Sequence, residues 1–268
     1  MTSGQLPTRG EDEPQLVARL VEQLAQMPGV EAVALGGSRA AGTHHAGSDW
    51  DFGVYYRGDC FRPADVRALG HPGTVTELGE WGGGVFNGGA WLEIDEAKVD
   101  LLWRDLDVVD HEIAEAQAGR WRQEPLMFHL TGIPTYILLA ELAINRVVYG
   151  DLPRPDYPPA LREVAGRDWA RRAELTLGYA STAHAAHGRT AACLGLVAVG
   201  AAEYAHACAA TAGSWVTSDK NLLTTGGMGD IDRLVGGLPP EPTSGELQTL
   251  VRAATDLGRR ALADAGGR

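Results

Sequence analysis

Between residues 14 and 27 apolar side chains recur every third or fourth position, at Leu16, Val17, Leu20, Val21 and Leu24. With Pro14 near the first turn and Gly29 just past the end, the pattern predicts an amphipathic opening helix. Residues 30–35 then read as a short buried strand, Gly36-Gly37-Ser38 as a connector, and residues 49–56 as a second strand. A short helix is expected over 59–69, followed by a loop at 79–89, where glycine is too frequent for a regular element. Strands at 90–94 and 98–104 are separated only by Asp95-Glu96-Ala97, which suits an antiparallel hairpin. Helical periodicity returns over 106–118 and 134–145.

Pro153, Pro155, Pro158 and Pro159 interrupt any regular element at 151–159, and a linker is expected there. Beyond it the alanine-rich stretches 160–187 and 190–212, and then 244–265, carry helical patterns. The expected organisation is α+β: a mixed-sheet domain over residues 1–150, then an all-α helical bundle over 151–268. A cleft between the two is the expected place for an active site.

Composition narrows the function classes. The 268 residues are 44% hydrophobic and 22% charged, the profile of a globular protein rather than of a disordered or collagen-like one. With 23 Lys plus Arg against 35 Asp plus Glu, the formal charge of −12 opposes diffuse attraction to nucleic acid or anionic membrane. Cys60, Cys193 and Cys208 form neither a disulfide framework nor a zinc knuckle, which fits a reducing compartment. The first 13 residues are polar and acidic, and the longest apolar run, 191–202, is broken by Gly195 and Gly200 and too short to span a bilayer. A cytoplasmic protein, with neither nucleic acid nor membrane as partner, is the expectation.

The candidate chemistry lies in Leu35-Gly36-Gly37-Ser38-Arg39-Ala40-Ala41-Gly42 and Gly47-Ser48-Asp49-Trp50-Asp51-Phe52-Gly53-Val54. Residues two apart on a strand share a face, so Asp49 and Asp51 present paired carboxylates while Trp50 and Phe52 turn toward a core. Such a pair suits Mg²⁺, which takes hard oxygen ligands and leaves coordination positions for water and substrate phosphate. Gly37 allows close backbone approach to a phosphate, Ser38 adds a hydroxyl donor and Arg39 a fixed positive charge. The lysine of the P-loop and the third glycine of the dinucleotide turn are both missing. Asp100, flanked by Val99 and Leu101, is an acid that needs a cation or donors, and it converges on Asp49 and Asp51 if its strand lies beside theirs.

Gly-Gly-Ser, then Asp-x-Asp on the next strand, then a third acid on a later strand resembles the nucleotidyltransferase superfamily of the DNA polymerase β type. The arrangement is most similar to small bacterial members such as the aminoglycoside and lincosamide nucleotidyltransferases, which pair that core with a helical C-terminal domain. Weaker similarity continues through residues 134–151 and 215–222, where Trp215-Val216-Thr217-Ser218-Asp219-Lys220 is a variant of a Trp-x-x-Asn-Glu-Lys segment. The resemblance implies metal ligation by Asp49, Asp51 and Asp100, with two Mg²⁺ ions, and nucleotide contacts from Gly37, Ser38, Arg39, Ser48 and Lys220. It implies in-line attack of an acceptor hydroxyl on the α-phosphorus of ATP or another NTP, with AMP as the first expectation for the transferred group and pyrophosphate as leaving group. Asp100 is the first candidate to take the hydroxyl proton and Glu141, in the helix before the linker, the second.

Plainer roles compete for several of these residues. Arg104 shares a face with Asp100 and is expected to pair with it, while His184, His187 and His206 lack partners at metal-ligand spacing and read as core or surface. Tyr204 and Trp215 read as bundle core, and the glycines around Trp81, Phe86 and Trp91 suit either a flap or a connector. The expected acceptor is a small hydroxyl-bearing molecule, an aminoglycoside-like antibiotic among the candidates, and the resemblance allows a homodimer. A protein acceptor and a non-catalytic nucleotide-binding module are the alternatives; three close carboxylates count against the latter, because they repel one another without a cation.

Overall fold

The computed structural model describes residues 13–45, 47–82, 84–127 and 129–267. The polar segment 1–12 and Gly83 of the glycine-rich loop lie outside the described residues. In chain order the elements are α1 (Glu13–Ala25), β1 (Val30–Leu35), α2 (Gly37–Ala40), β2 (Trp50–Tyr56), α3 (Pro63–Arg67), β3 (Gly73–Val75), β4 (Gly89–Ile94) and β5 (Ala97–Asp105). They continue with α4 (Leu106–Gln117), β6 (Gln123–Glu124), β7 (Ile133–Pro134), α5 (Ile137–Ile144), β8 (Arg146–Tyr149), α6 (Pro159–Tyr179), α7 (Thr190–Ala212), α8 (Leu222–Thr225), α9 (Ile231–Gly236) and α10 (Ser244–Gly266). The mixed sheet and the many helices match the expected α+β class.

Two compact units emerge: the described residues up to His111 with Glu141–Arg154, and Glu112–Ala140 with Pro155–Arg268. The first is built on a six-stranded sheet of order β3-β4-β5-β2-β1-β8. Only β2 and β5 run parallel, and the other neighbours are antiparallel. One sheet face is the core: Val33 and Leu35 of β1, Phe52 and Val54 of β2, Leu92 of β4, and Leu101 and Trp103 of β5 pack with Leu20 and Leu24 of α1. The period of two then sends Asp51, Gly53 and Tyr55, and across from them Asp100, Leu102 and Arg104, to the opposite face. β4 and β5 form the expected hairpin, turned by Asp95 at φ 48° and Glu96 at φ 66°. Strands β3 and β8 had no strong sequence signal: both are short, and each lies at a sheet edge.

The second unit is dominated by α6, α7 and α10, packed around Leu177, Val197, Tyr204, Leu247 and Val251. A further cluster gathers Tyr136, Trp169, Leu161 and Ala210. Small residues set the helix spacing: a Cβ on Gly200 would sit 2.7 Å from Leu177 Cγ, and one on Gly258 2.3 Å from the Tyr204 ring. The second half of the stretch expected as one helix over 160–187 departs from α geometry, passing through a π turn at Ala180–His184 and a 3₁₀ turn at Ala185–His187. Helix α7, 23 residues long, has the length and apolar content to cross a membrane, more than the interrupted run at 191–202 suggests, and 61% of its apolar window is buried within the protein.

Candidate active site

β1 ends at Leu35, and Gly36 N–H continues the ladder by donating to Asp51 O at 2.7 Å. Gly37 then turns the chain at φ 58°. A Cβ on Gly37 would lie 1.8 Å from Asp51 Oδ2, so only glycine lets that carboxylate rest against the turn. Ser38 and Arg39 follow in the four-residue α2. Ser38 O accepts from Thr43 N at 2.9 Å, which folds the chain back toward β2.

The register of the parallel pair sets Asp51 directly beside Asp100. Neighbouring strands lie about 4.8 Å apart, and registered residues share a face, so these two acids are side by side. Asp49 precedes the first residue of β2 and is exposed. Among the described residues, no group of three or more His, Cys, Asp or Glu side chains stands together to hold a metal ion. The strand register therefore joins two of the three expected acids, and the third lies one position ahead of the ladder. The donor set still suits Mg²⁺, which is ordinarily held by one or two carboxylates and completes its shell with water and substrate phosphate.

Arg39 has a defined role within this unit. Its guanidinium donates to Ser48 O (Nη2, 2.9 Å) and Asp49 O (Nε, 3.2 Å) and lies 3.9 Å from the Trp50 ring centroid. It ties the turn after β1 to the start of β2, and Trp50 itself packs on the core. Ser48 Oγ accepts from His45 N at 3.0 Å, while His45 Nδ1 accepts from Gly47 N at 3.2 Å, so the loop carrying His44 and His45 is a hydrogen-bonded turn.

Along β2 and β5 the same face becomes buried. Tyr55 lies over Gly53, where a Cβ would meet the ring at 2.7 Å, and its hydroxyl accepts from Asn145 Nδ2 at 3.3 Å. Burial, with the Glu141 charge adding to it, pushes the Tyr55 phenol well up. Arg104 is 1% exposed and pairs with Glu141 rather than with the expected Asp100, through Nε and Nη2 at 2.7 Å each. Burial alone would lower the guanidinium pKa, but the Glu141 charge and its two hydrogen bonds outweigh it and hold the group above its ordinary value. Both Glu141 oxygens, expected as a second proton acceptor, are thus engaged by Arg104.

Trp91, read from the sequence only as an aromatic beside a glycine-rich flap or connector, stands opposite Asp100 in the β4–β5 pair. The hairpin contained the signal: pairing Ile94 with Ala97 carries Trp91 to Asp100. Trp91 stacks on Trp81 at 4.8 Å, Trp81 on Phe86 at 6.2 Å, and Arg104 lies 4.7 Å over Phe86. Lys220 belongs to the second unit, where it is exposed and its backbone N–H donates to Ser218 Oγ at 3.2 Å. In that unit Trp215 meets the Tyr157 ring at 4.2 Å, and Tyr204 is buried with its hydroxyl on Glu174.

The first unit thus carries a glycine turn at the end of β1 and two acids in register on the neighbouring strands β2 and β5. Residues 17–110 match the family model described as the nucleotidyltransferase domain. No curated protein matches the chain. A solved structure described as a nucleotidyltransferase-like protein from Exiguobacterium sibiricum 255-15 aligns over 95% of this chain and 77% of its own, at 11% identity and a TM-score of 0.38.

Proposed function

We propose that the protein is a Mg²⁺-dependent nucleotidyltransferase that moves a nucleoside monophosphate from an NTP, AMP from ATP in the first instance, to a hydroxyl of a small molecule. The observation that carries this reading is the register of Asp51 with Asp100 on parallel neighbours beside the Gly37 turn. Asp51 and Asp100 would hold Mg²⁺, with Asp49 adding a further carboxylate at the exposed end. The ion, when bound, supplies positive charge to the phosphate oxygens. Gly37, turned at φ 58°, and the Ser38 hydroxyl and backbone would meet the triphosphate at the end of β1.

In the reaction an acceptor oxygen forms a bond to the α-phosphorus as the bond to the pyrophosphate oxygen breaks, and the hydroxyl proton passes to a carboxylate. Asp100 is the carboxylate assigned this role, because Glu141 is held by Arg104. Arg39 acts by position: it fixes the backbone at Ser48 and Asp49 and so the approach to Asp51.

The test is label transfer with α-labelled NTPs, Mg²⁺ and a panel of aminoglycosides, lincosamides and other hydroxylated small molecules. Labelled small molecule and pyrophosphate from the wild type, with at least a 10³-fold loss in both Asp51→Asn and Asp100→Asn, is the expected result. Label appearing only on protein from a cell extract would replace the acceptor class, and equal rates in wild type and Asp51→Asn would remove the site assignment.

A further inference from the structure

The second unit contains a cavity of about 400 Å³, lined by none of the acids or turn residues assigned to nucleotidyl transfer. One wall is a stripe of α7, Leu194, Ala198, Ala202 and His206, spaced every fourth residue so that they line one side of the helix. Ala198 and Ala202 leave the room, and α8 and α9 close the other walls with Leu222, Ile231 and Val235. This volume lies in the usual range for a small-molecule site, as does an apolar lining with few polar groups.

The polar groups have an order. His206 is nine-tenths buried, at 8% exposure, and stacks at 4.6 Å on Trp169, whose indole N–H is anchored on the Tyr136 hydroxyl. That backing fixes the imidazole at the wall. Asp219 and Asp232 also line the cavity and are exposed, and none of the described lining residues is Lys or Arg. The chamber thus has apolar helix walls, two imidazoles in its lining, His206 buried and His129 half-buried, and two carboxylates at solvent.

We propose that this cavity binds a small amphiphilic amine, with its apolar body against Ala198 and Ala202 and its ammonium group at Asp219 and Asp232. Apolar burial supplies most of the affinity, and the carboxylates select the charge. His206, its pKa lowered to about 4 by burial and by nearby His129, is neutral at pH 7 and adds no opposing charge. The segment Val216-Thr217-Ser218-Asp219, distinctive in the sequence, gains a role here as part of the lining. The inference does not depend on nucleotidyl transfer.

Calorimetric titration of the full chain with 4-phenylbutylamine, 4-phenylbutanol and 4-phenylbutyrate tests it. The amine is expected to bind about tenfold or more tighter than the alcohol, and the carboxylate more weakly than either. The double variant Asp219→Asn/Asp232→Asn should bring the amine down to the alcohol's affinity while leaving the alcohol unchanged. Ala198→Phe, which fills the chamber, should abolish binding of all three at an unaltered far-ultraviolet spectrum. If that variant does not fold, Val235→Phe fills the chamber from the opposite wall and should do the same. Failure of all three probes to bind at millimolar concentration, equal or tighter binding of the carboxylate, or amine binding that survives a folded cavity-filling variant would each overturn the proposal.

Discussion

At the scale of single residues, the first unit is most sensitive where two groups share one space. Replacing Gly37 by alanine places a methyl group 1.8 Å from Asp51 Oδ2 and forces a non-glycine side chain to φ 58°, a conformation that costs about 1–2 kcal/mol. Gly37→Ala is therefore expected to lower label transfer by ~10²-fold, because it moves a carboxylate of the proposed site by about an ångström, with only a modest fall in Tm. A different fault is expected at Arg104 and Glu141. Glu141→Gln leaves a guanidinium that is 1% exposed without its counter-charge, at a cost of about 3–5 kcal/mol. The double variant Arg104→Met/Glu141→Leu removes both charges and should recover much of that loss. Urea denaturation of Arg104→Met, Glu141→Leu and the double variant closes the cycle, and a double variant less stable than Glu141→Leu would contradict the pairing argument. The glycine turn and the Asp49–Asp51 pair were legible in the sequence because their spacing is local. The Arg104–Glu141 fork was not, since it joins residues 37 apart and only the folded chain brings them together.

At the scale of elements, periodicity located the long helices and the central strands closely: β1 and α7 begin and end where the pattern predicts. It did not reveal that the stretch after Tyr179 leaves α geometry, because alanine suits several helical forms and the choice falls to packing. Nor did it show why α7 is so rich in small residues. Gly200 is buried against Leu177, whereas Gly195 on the same helix is exposed, with nothing within 4 Å of a Cβ. The two glycines should respond oppositely to one substitution. Gly195→Ala is expected to stabilise by about 0.5–1 kcal/mol through helix propensity. Gly200→Ala receives the same propensity gain but must displace Leu177 in a close-packed core, and a net loss of about 1–2 kcal/mol is expected. Thermal melting of the pair decides the point: a gain in both would mean that α6 and α7 are held apart by something other than their side chains.

At the scale of the whole molecule, two groups of opposite sign on α7 contribute to how stability depends on pH. His206 has its pKa lowered to about 4 by burial and by His129, against 6.5 for an ordinary histidine. Below pH 6.5 the unfolded chain takes up a proton that the folded chain refuses, so this contribution to stability declines as pH falls and is fully lost below about pH 4. The difference amounts to as much as about 3 kcal/mol. Glu203 runs the other way: burial raises its pKa above 4.5, although Thr176 and Arg172 pull it down, and Oε2 has no hydrogen-bond partner among the described residues. A carboxyl with a raised folded pKa contributes its stability at low pH and loses it as pH rises through that value. At pH 7 Glu203 therefore weakens the fold, and the penalty is gone once the pH falls below the ordinary carboxyl value of 4.5. His206→Phe, which keeps the stack on Trp169, should flatten the decline between pH 6.5 and 4. Glu203→Gln should raise stability at pH 7, with the gain shrinking toward pH 4. Urea denaturation of both variants and the wild type at pH 7, 5.5 and 4.5 separates the two effects. Parallel wild-type and His206→Phe curves would mean that water in the cavity solvates the imidazole enough to restore its ordinary titration, and the apolar character assigned to that chamber would fall with it.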